Sequence, residues 1–171
     1  MSASMTREQY LQIMNAIRKT KYGITIVKWS GKGITYLTAL AYLVCIGCLL
    51  WQKDLRVVPF VMTPAVSFVF VSIFRAKYAA ERPYEKYGFA PLLPKDTKAK
   101  SFPSRHVFSI FVIASVILFV QPICGSVLLA LGVVLAILRV VMGVHFPRDV
   151  IAGAVIGMVC GITGMAVWIL L

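Results

Sequence analysis

The stretch ITYLTALAYLVCIGCLLW, Ile34–Trp51, runs 18 residues without a charged side chain. After the short polar connection Gln52–Arg56, VVPFVMTPAVSFVFVSIF, Val57–Phe74, is a second uncharged run of 18. A helix needs about 20 predominantly apolar residues, with a range of roughly 17–25, to cross ~30 Å of hydrocarbon. Two such runs so tightly joined predict an antiparallel pair of transmembrane helices. Working outward, His106–Val120, Ile123–Met142 (carrying only Arg139) and Val150–Leu171 continue the pattern. The predicted fold is all-α, a polytopic transmembrane helix bundle of five spans. His106–Val120 is the short one at ~22 Å of helix, so it is expected to begin below the membrane surface.

Composition agrees. The 171 residues are 60% hydrophobic and 14% charged, with a mean hydropathy of +0.85. A soluble domain is roughly 45–50% apolar and about 25% charged. A soluble globule is therefore excluded. The chain has no polar tract, Gly-X-Y period or charged heptad, which excludes disorder, collagen and coiled coil.

Residues 1–33 read differently from 34–171. Thr6 and Gln9 form a capping-box pair. Tyr10, Ile13, Met14 and Ile17 then recur at helical spacing. Arg7, Arg18, Lys19, Lys21, Lys28 and Lys32 make spanning costly, so an amphipathic, interfacial helix is expected. Were it to span, it would be a sixth crossing. It lacks the apolar core and cleavage site of a signal peptide.

Net charge is +12, from 18 Lys+Arg against 6 Asp+Glu. Such a balance calls for an anionic partner, and lipid headgroups or phosphate substrates fit better than nucleic acid. Cys45, Cys48, Cys124 and Cys160 fall in or beside apolar spans and read as small packing residues. Cys45-Ile-Gly-Cys48 has CxxC spacing, but no zinc or redox context surrounds it.

The polar connections are unequal. Segment 75–105 is a long basic loop of a length that in a compact bundle is usually functional or disordered. Tracing the spans puts it, the 142–149 connection and the N-terminus at one end of the bundle. Only Lys53 and Arg56 supply positive charge at the other. The site end collects Arg75, Arg82-Pro83, Pro103-Ser104-Arg105-His106, Arg139, and His145 with Asp149 one helical turn beyond. Arginine offers planar, bidentate, permanently charged donors suited to phosphate oxygens. A loop-to-helix junction at Ser104 favours an anion. Imidazole can attack phosphorus or donate a proton to a leaving oxygen. A carboxylate beside His145 would orient that ring, as in a triad.

In these segments the chain resembles the type 2 phosphatidic acid phosphatase superfamily, related to vanadium haloperoxidases and bacterial acid phosphatases. The family signature Lys-x6-Arg-Pro appears as Arg75-x6-Arg82-Pro83. Pro-Ser-Gly-His appears as Pro103-Ser104-Arg105-His106. Ser-Arg-x5-His-x3-Asp appears as Leu138-Arg139-x5-His145-x3-Asp149. Three positions depart from it: Arg75 for Lys, Arg105 for Gly and Leu138 for Ser.

The resemblance implies a lipid phosphate or diphosphate phosphatase without metal or other cofactor. His145 would be the nucleophile, Asp149 its orienting partner and His106 the acid for the leaving oxygen. Arg75, Arg82, Arg139 and Ser104 would hold the phosphate. Arg105 would narrow the site or meet a second phosphate. Undecaprenyl diphosphate, phosphatidic acid and phosphatidylglycerol phosphate are the substrates it suggests. A lipid phosphotransferase and a non-catalytic lipid-phosphate-binding membrane protein are the alternatives. Tyr84, Tyr87 and Phe89 are expected at the interface, as a rim or as anchors. A multi-pass cell-membrane location follows. The positive-inside rule puts the site in the cytoplasm, whereas bacterial relatives acting on polyprenyl diphosphates commonly face outward. Oligomeric state has no signature here.

Overall fold

A computed structural model describes residues 5–94 and 98–170. Seven helices follow in order: α1 Arg7–Lys19, α2 Gly23–Trp51, α3 Val57–Tyr78, α4 Pro83–Tyr87, α5 Arg105–Leu118, α6 Pro122–Val141 and α7 Pro147–Leu170. No strand occurs among the described residues. Asp96 lies outside them.

Among the described residues four helices, α2, α3, α6 and α7, are long and apolar enough to cross a membrane, and the chain is a multi-pass membrane protein. The fifth expected span is α5, with 14 residues. At ~21 Å it is too short to cross alone. The reason is its position. α5 is enclosed by α2, α3, α6 and α7, with its closest packing against α6 and α7. Val107, Phe108, Ile110, Phe111, Val112, Ala114, Val116 and Ile117 are all buried. A helix sheathed by protein need not match the bilayer thickness.

The packing of α5 on α7 depends on missing side chains. Lipid tails are as apolar as leucine, so helices in a bilayer gain by close backbone approach rather than by escape from water. Gly153, Gly157 and Gly161 fall at every fourth position of α7 and face α5. A Cβ at Gly157 would lie 2.7 Å from the Phe108 carbonyl oxygen, and one at Gly153 would lie 2.7 Å from that of Ser104.

The 33/34 boundary falls inside α2, which runs unbroken for 29 residues. Its apolar run decides only where the helix is buried in lipid, and helical backbone continues through Lys28 and Lys32. Likewise α3 continues past Phe74 through Arg75 and ends at Ala79 in a left-handed conformation (φ 45°). Part of the long basic loop is thus helical, in the last turn of α3 and in α4.

α1 has the expected capping box, with Thr6 Oγ1 accepting from the Gln9 N–H and Gln9 Oε1 accepting from the Thr6 N–H. Its apolar face meets protein. Tyr10 and Met14 are fully buried in a cluster with Leu92, Met142, Val144 and Phe146. Tyr10 packs against the rings of Tyr87, Phe89 and Phe146. The aromatic rim is therefore corrected in part: Tyr87 and Phe89 face inward, because α1 supplies a better apolar partner than the interface. Gly143, at φ +72°, makes the turn below this cluster, and a Cβ there would lie 2.8 Å from the Phe89 ring. The four cysteines are free.

Candidate active site

Three segments meet at the end of the bundle that carries the long connections. The last turn of α3 supplies Arg75. The strap Lys100–Ser104, containing a cis Phe102–Pro103 peptide, leads into α5. The α6–α7 turn supplies His145, and the first turn of α7 supplies Asp149. The Ser104 N–H donates to the Asp149 carbonyl at 2.8 Å, joining strap to α7.

His145 is 1% exposed and Asp149 is fully buried. The His145 Nδ1 to Asp149 Oδ2 distance is 3.7 Å, too long for a direct hydrogen bond. Ser101 fills the gap. Its Oγ donates to Asp149 Oδ2 at 2.5 Å and lies 3.5 Å from His145 Nδ1. The Phe146 N–H also donates to Oδ2, at 3.0 Å. Among the described residues Asp149 Oδ1 has no hydrogen-bond partner; it lies 3.5 Å from Nε of Arg148, which is largely exposed. Because the Ser101 proton is engaged by the carboxylate, its lone pairs face Nδ1. That favours the tautomer with hydrogen on Nδ1 and a lone pair on Nε2. Burial pushes the His145 imidazole down to about 4, against the opposing pull of Asp149. The ring is therefore neutral near pH 7. The Tyr10 hydroxyl donates to the His145 carbonyl at 3.1 Å, and burial raises the phenol well above its ordinary value.

Arg75 and Arg82 are buried and hold the strap by its carbonyls. Arg75 Nη1 donates to the Pro103 carbonyl and, at 3.4 Å, to that of Ser101, while Nη2 donates to that of Lys100. Arg82 Nη1 donates to the Val144 carbonyl at 3.2 Å and Nη2 to that of Lys100 at 3.2 Å. Among the described residues its Nε has no hydrogen-bond partner. Glu85 braces the loop, accepting from the Arg82 N–H at 2.8 Å and the Ala99 N–H at 3.0 Å.

A cavity of about 360 Å³ opens here, lined by Ser72, Arg75, Arg82, Lys100, Arg105, His106 and His145. The fold thus brings together both histidines and three of the expected arginines, with Asp149 directly behind His145. Arg105 is exposed and its guanidinium sits 5.5 Å from the Phe68 ring centre. Besides Asp149, two further expected residues do not line this cavity. Arg139 lines a neighbouring one, shared with His106, because it projects from α6 on the side toward α2. Ser104 is fully buried at the N-cap of α5, and among the described residues its Oγ has no hydrogen-bond partner.

Ser72, Lys100 and Ser101 were not anticipated. Ser72 precedes Arg75 by three residues on α3, so helical periodicity alone could have placed it on the same face. Among the described residues its buried Oγ has no hydrogen-bond partner. Lys100 and Ser101 directly precede the Phe102–Ser104 segment. Nothing in their spacing marks them, since the strap's path is set by tertiary contacts.

No group of three or more metal-ligating side chains occurs among the described residues. The arrangement suits a dianion: fixed cations, an orphaned hydroxyl and guanidinium N–H, and an oriented neutral imidazole in one pocket.

Residues 56–169 match the family model of the PAP2 superfamily, and the chain belongs to that superfamily. A stretch of 69 residues is 39% identical to the Escherichia coli (strain K12) protein named "Putative undecaprenyl-diphosphatase YbjG". That match covers 40% of this chain and spans 35% of the relative's length. The fold is similar to the crystal structure of Aquifex aeolicus LpxE, with a TM-score of 0.73, 24% identity, and coverage of 97% of this chain and 96% of that one. It is also similar to the first transmembrane PAP2 type phosphatidylglycerolphosphate phosphatase from Bacillus subtilis, with a TM-score of 0.67, 21% identity, and coverage of 96% and 94%.

Proposed function

We propose that the protein is an integral-membrane lipid phosphate or diphosphate phosphatase working through a phosphohistidine intermediate. The observation that carries this is the neutral, buried His145, oriented by Asp149 and Ser101, in one cavity with Arg75, Arg82, Arg105 and His106.

The chemistry follows from the geometry. His145 Nε2 attacks phosphorus, and the Asp149 carboxylate steadies the charge that develops on the ring. Arg75 and Arg82 are already fixed by the strap, so they stabilise the equatorial oxygens without reorganising. His106 protonates the leaving oxygen and then takes a proton from the water that cleaves the phosphohistidine. The names of the relatives support a phosphorylated lipid, and the match to an undecaprenyl-diphosphatase favours the diphosphate class. A bundle whose site opens beside membrane-spanning helices suits a substrate that keeps its tail in the bilayer.

The test is phosphate release by purified protein in detergent from phosphatidic acid, phosphatidylglycerol phosphate and undecaprenyl diphosphate. Release that His145→Ala abolishes is expected. Release that survives in that variant, or none from any lipid, overturns the reading.

A further inference from the structure

His106 stands where three cavities meet. It lines the cavity that holds His145. It also lines one of about 530 Å³ walled by Lys28, Lys32 and Thr35 of α2 and Arg139 of α6. The third, mainly apolar and about 310 Å³, lies between α2, α3, α5 and α6 and again includes Thr35. His145 lines only the first of these.

We propose that the Lys28–Lys32–Arg139 cavity is an anionic leaving-group subsite, and that Lys28 and Lys32 make the enzyme prefer diphosphate lipids over monophosphates. The proposal rests on the phosphatase reading above. In an in-line displacement the leaving oxygen lies opposite the nucleophile, on the side of the acid that protonates it. The cavity beyond His106 is therefore the place for whatever that oxygen belongs to. If it belongs to a lipid phosphate, a second anion is delivered there.

The charge pattern asks for one. Lys28 and Lys32 are one turn apart on α2, a like-charge pair that costs stability unless something neutralises it. Arg139 lines the same cavity, and among the described residues its buried Nε has no hydrogen-bond partner. Among the described residues, the ion pairs of Asp54 and Asp149 involve none of these three cations.

Depth agrees. The 29 residues of α2 make ~44 Å of helix, which exceeds the ~30 Å of hydrocarbon. That excess length lets its first turns, with Lys28 and Lys32, reach headgroup level beside the site. Thr35, one turn deeper, is shared with the apolar cavity, so a chain leaving the second phosphate has a path toward hydrocarbon.

The step balances. The Nε2–phosphorus bond forms as the bond from the terminal phosphorus to the bridging oxygen breaks. That electron pair stays on the bridging oxygen, which takes the His106 proton and departs as a lipid monophosphate. Water then cleaves the phosphohistidine, giving inorganic phosphate and returning a proton to His106.

The test compares farnesyl diphosphate with farnesyl phosphate in neutral detergent, and again with added phosphatidylglycerol. Charge-assisted contacts of this kind are worth roughly tenfold each. In Lys28→Gln/Lys32→Gln the ratio of kcat/KM for diphosphate over monophosphate should therefore fall by at least about tenfold. Lys28→Arg/Lys32→Arg should restore it. Equal losses on both substrates, or a wild-type preference for the monophosphate, overturn the subsite. So does an effect seen only with phosphatidylglycerol present, which would assign the lysines to bulk headgroups. Absence of phosphate release from either substrate overturns the phosphatase reading and the subsite with it.

Discussion

Ser101 Oγ lies 2.5 Å from Asp149 Oδ2 and 3.5 Å from His145 Nδ1, so the acid holds the imidazole partly through a hydroxyl. Three residues from two segments, the strap and the α6–α7 turn running into α7, thus act as one orienting unit. Ser101→Ala should lower kcat by about tenfold, the scale of one hydrogen bond to a charged group. Asp149→Asn, which removes the charge as well, should cost a further factor of ten or more. Steady-state kinetics with KM resolved from kcat checks the order.

His145 should stay neutral far below the usual imidazole range. Its value of about 4 against 6.5 for a free histidine means that the unfolded chain binds more protons between those limits. Stability should therefore fall as pH drops from 6.5 toward 4 and be intact above that window. Because the chain has only two histidines, ring NMR of His106→Asn protein in micelles reads the titration directly. A midpoint near 6.5 would contradict the burial of the ring.

Arg75 serves the fold as well as the anion, since it holds the Lys100, Ser101 and Pro103 carbonyls. Lysine keeps the charge but lacks the planar fork. Arg75→Lys should therefore lower both kcat/KM, by about tenfold, and thermal stability, by roughly 1–3 kcal/mol. A thermal melt in detergent checks this. Loss of activity with an unchanged melt would make Arg75 a phosphate ligand alone.

Gly157 allows α7 to touch the Phe108 carbonyl of α5. Overpacking a tight contact costs about 1–3 kcal/mol. Gly157→Val should therefore lower the melting temperature measurably. Gly153→Ala should act locally, because its Cβ would press on the Ser104 carbonyl at the strap. The expected signature is reduced turnover with a smaller change in melting temperature.

Much was legible in one dimension. Uncharged runs such as Val57–Phe74 specify membrane helices because the bilayer penalises every unpaired backbone group and every charge, and that penalty depends on local composition alone. The residues His106, His145, Asp149 and the arginines were legible because their chemistry is limited and their spacings match a family pattern. Tertiary structure alone decided the rest. The length of α5 makes sense only once α2, α3, α6 and α7 enclose it. The apolar face of α1 could have met lipid or protein, and Tyr10 and Met14 chose protein because Phe89, Met142 and Phe146 converge beneath it. Ser101 joins the site, and Arg139 moves to the cavity beside Lys28 and Lys32, through packing between segments far apart in the chain. Sequence fixes which side chains are available and which helices lie in lipid. Distances between segments arise only from the fold, because side chains from separate helices and loops meet through packing that no local pattern encodes.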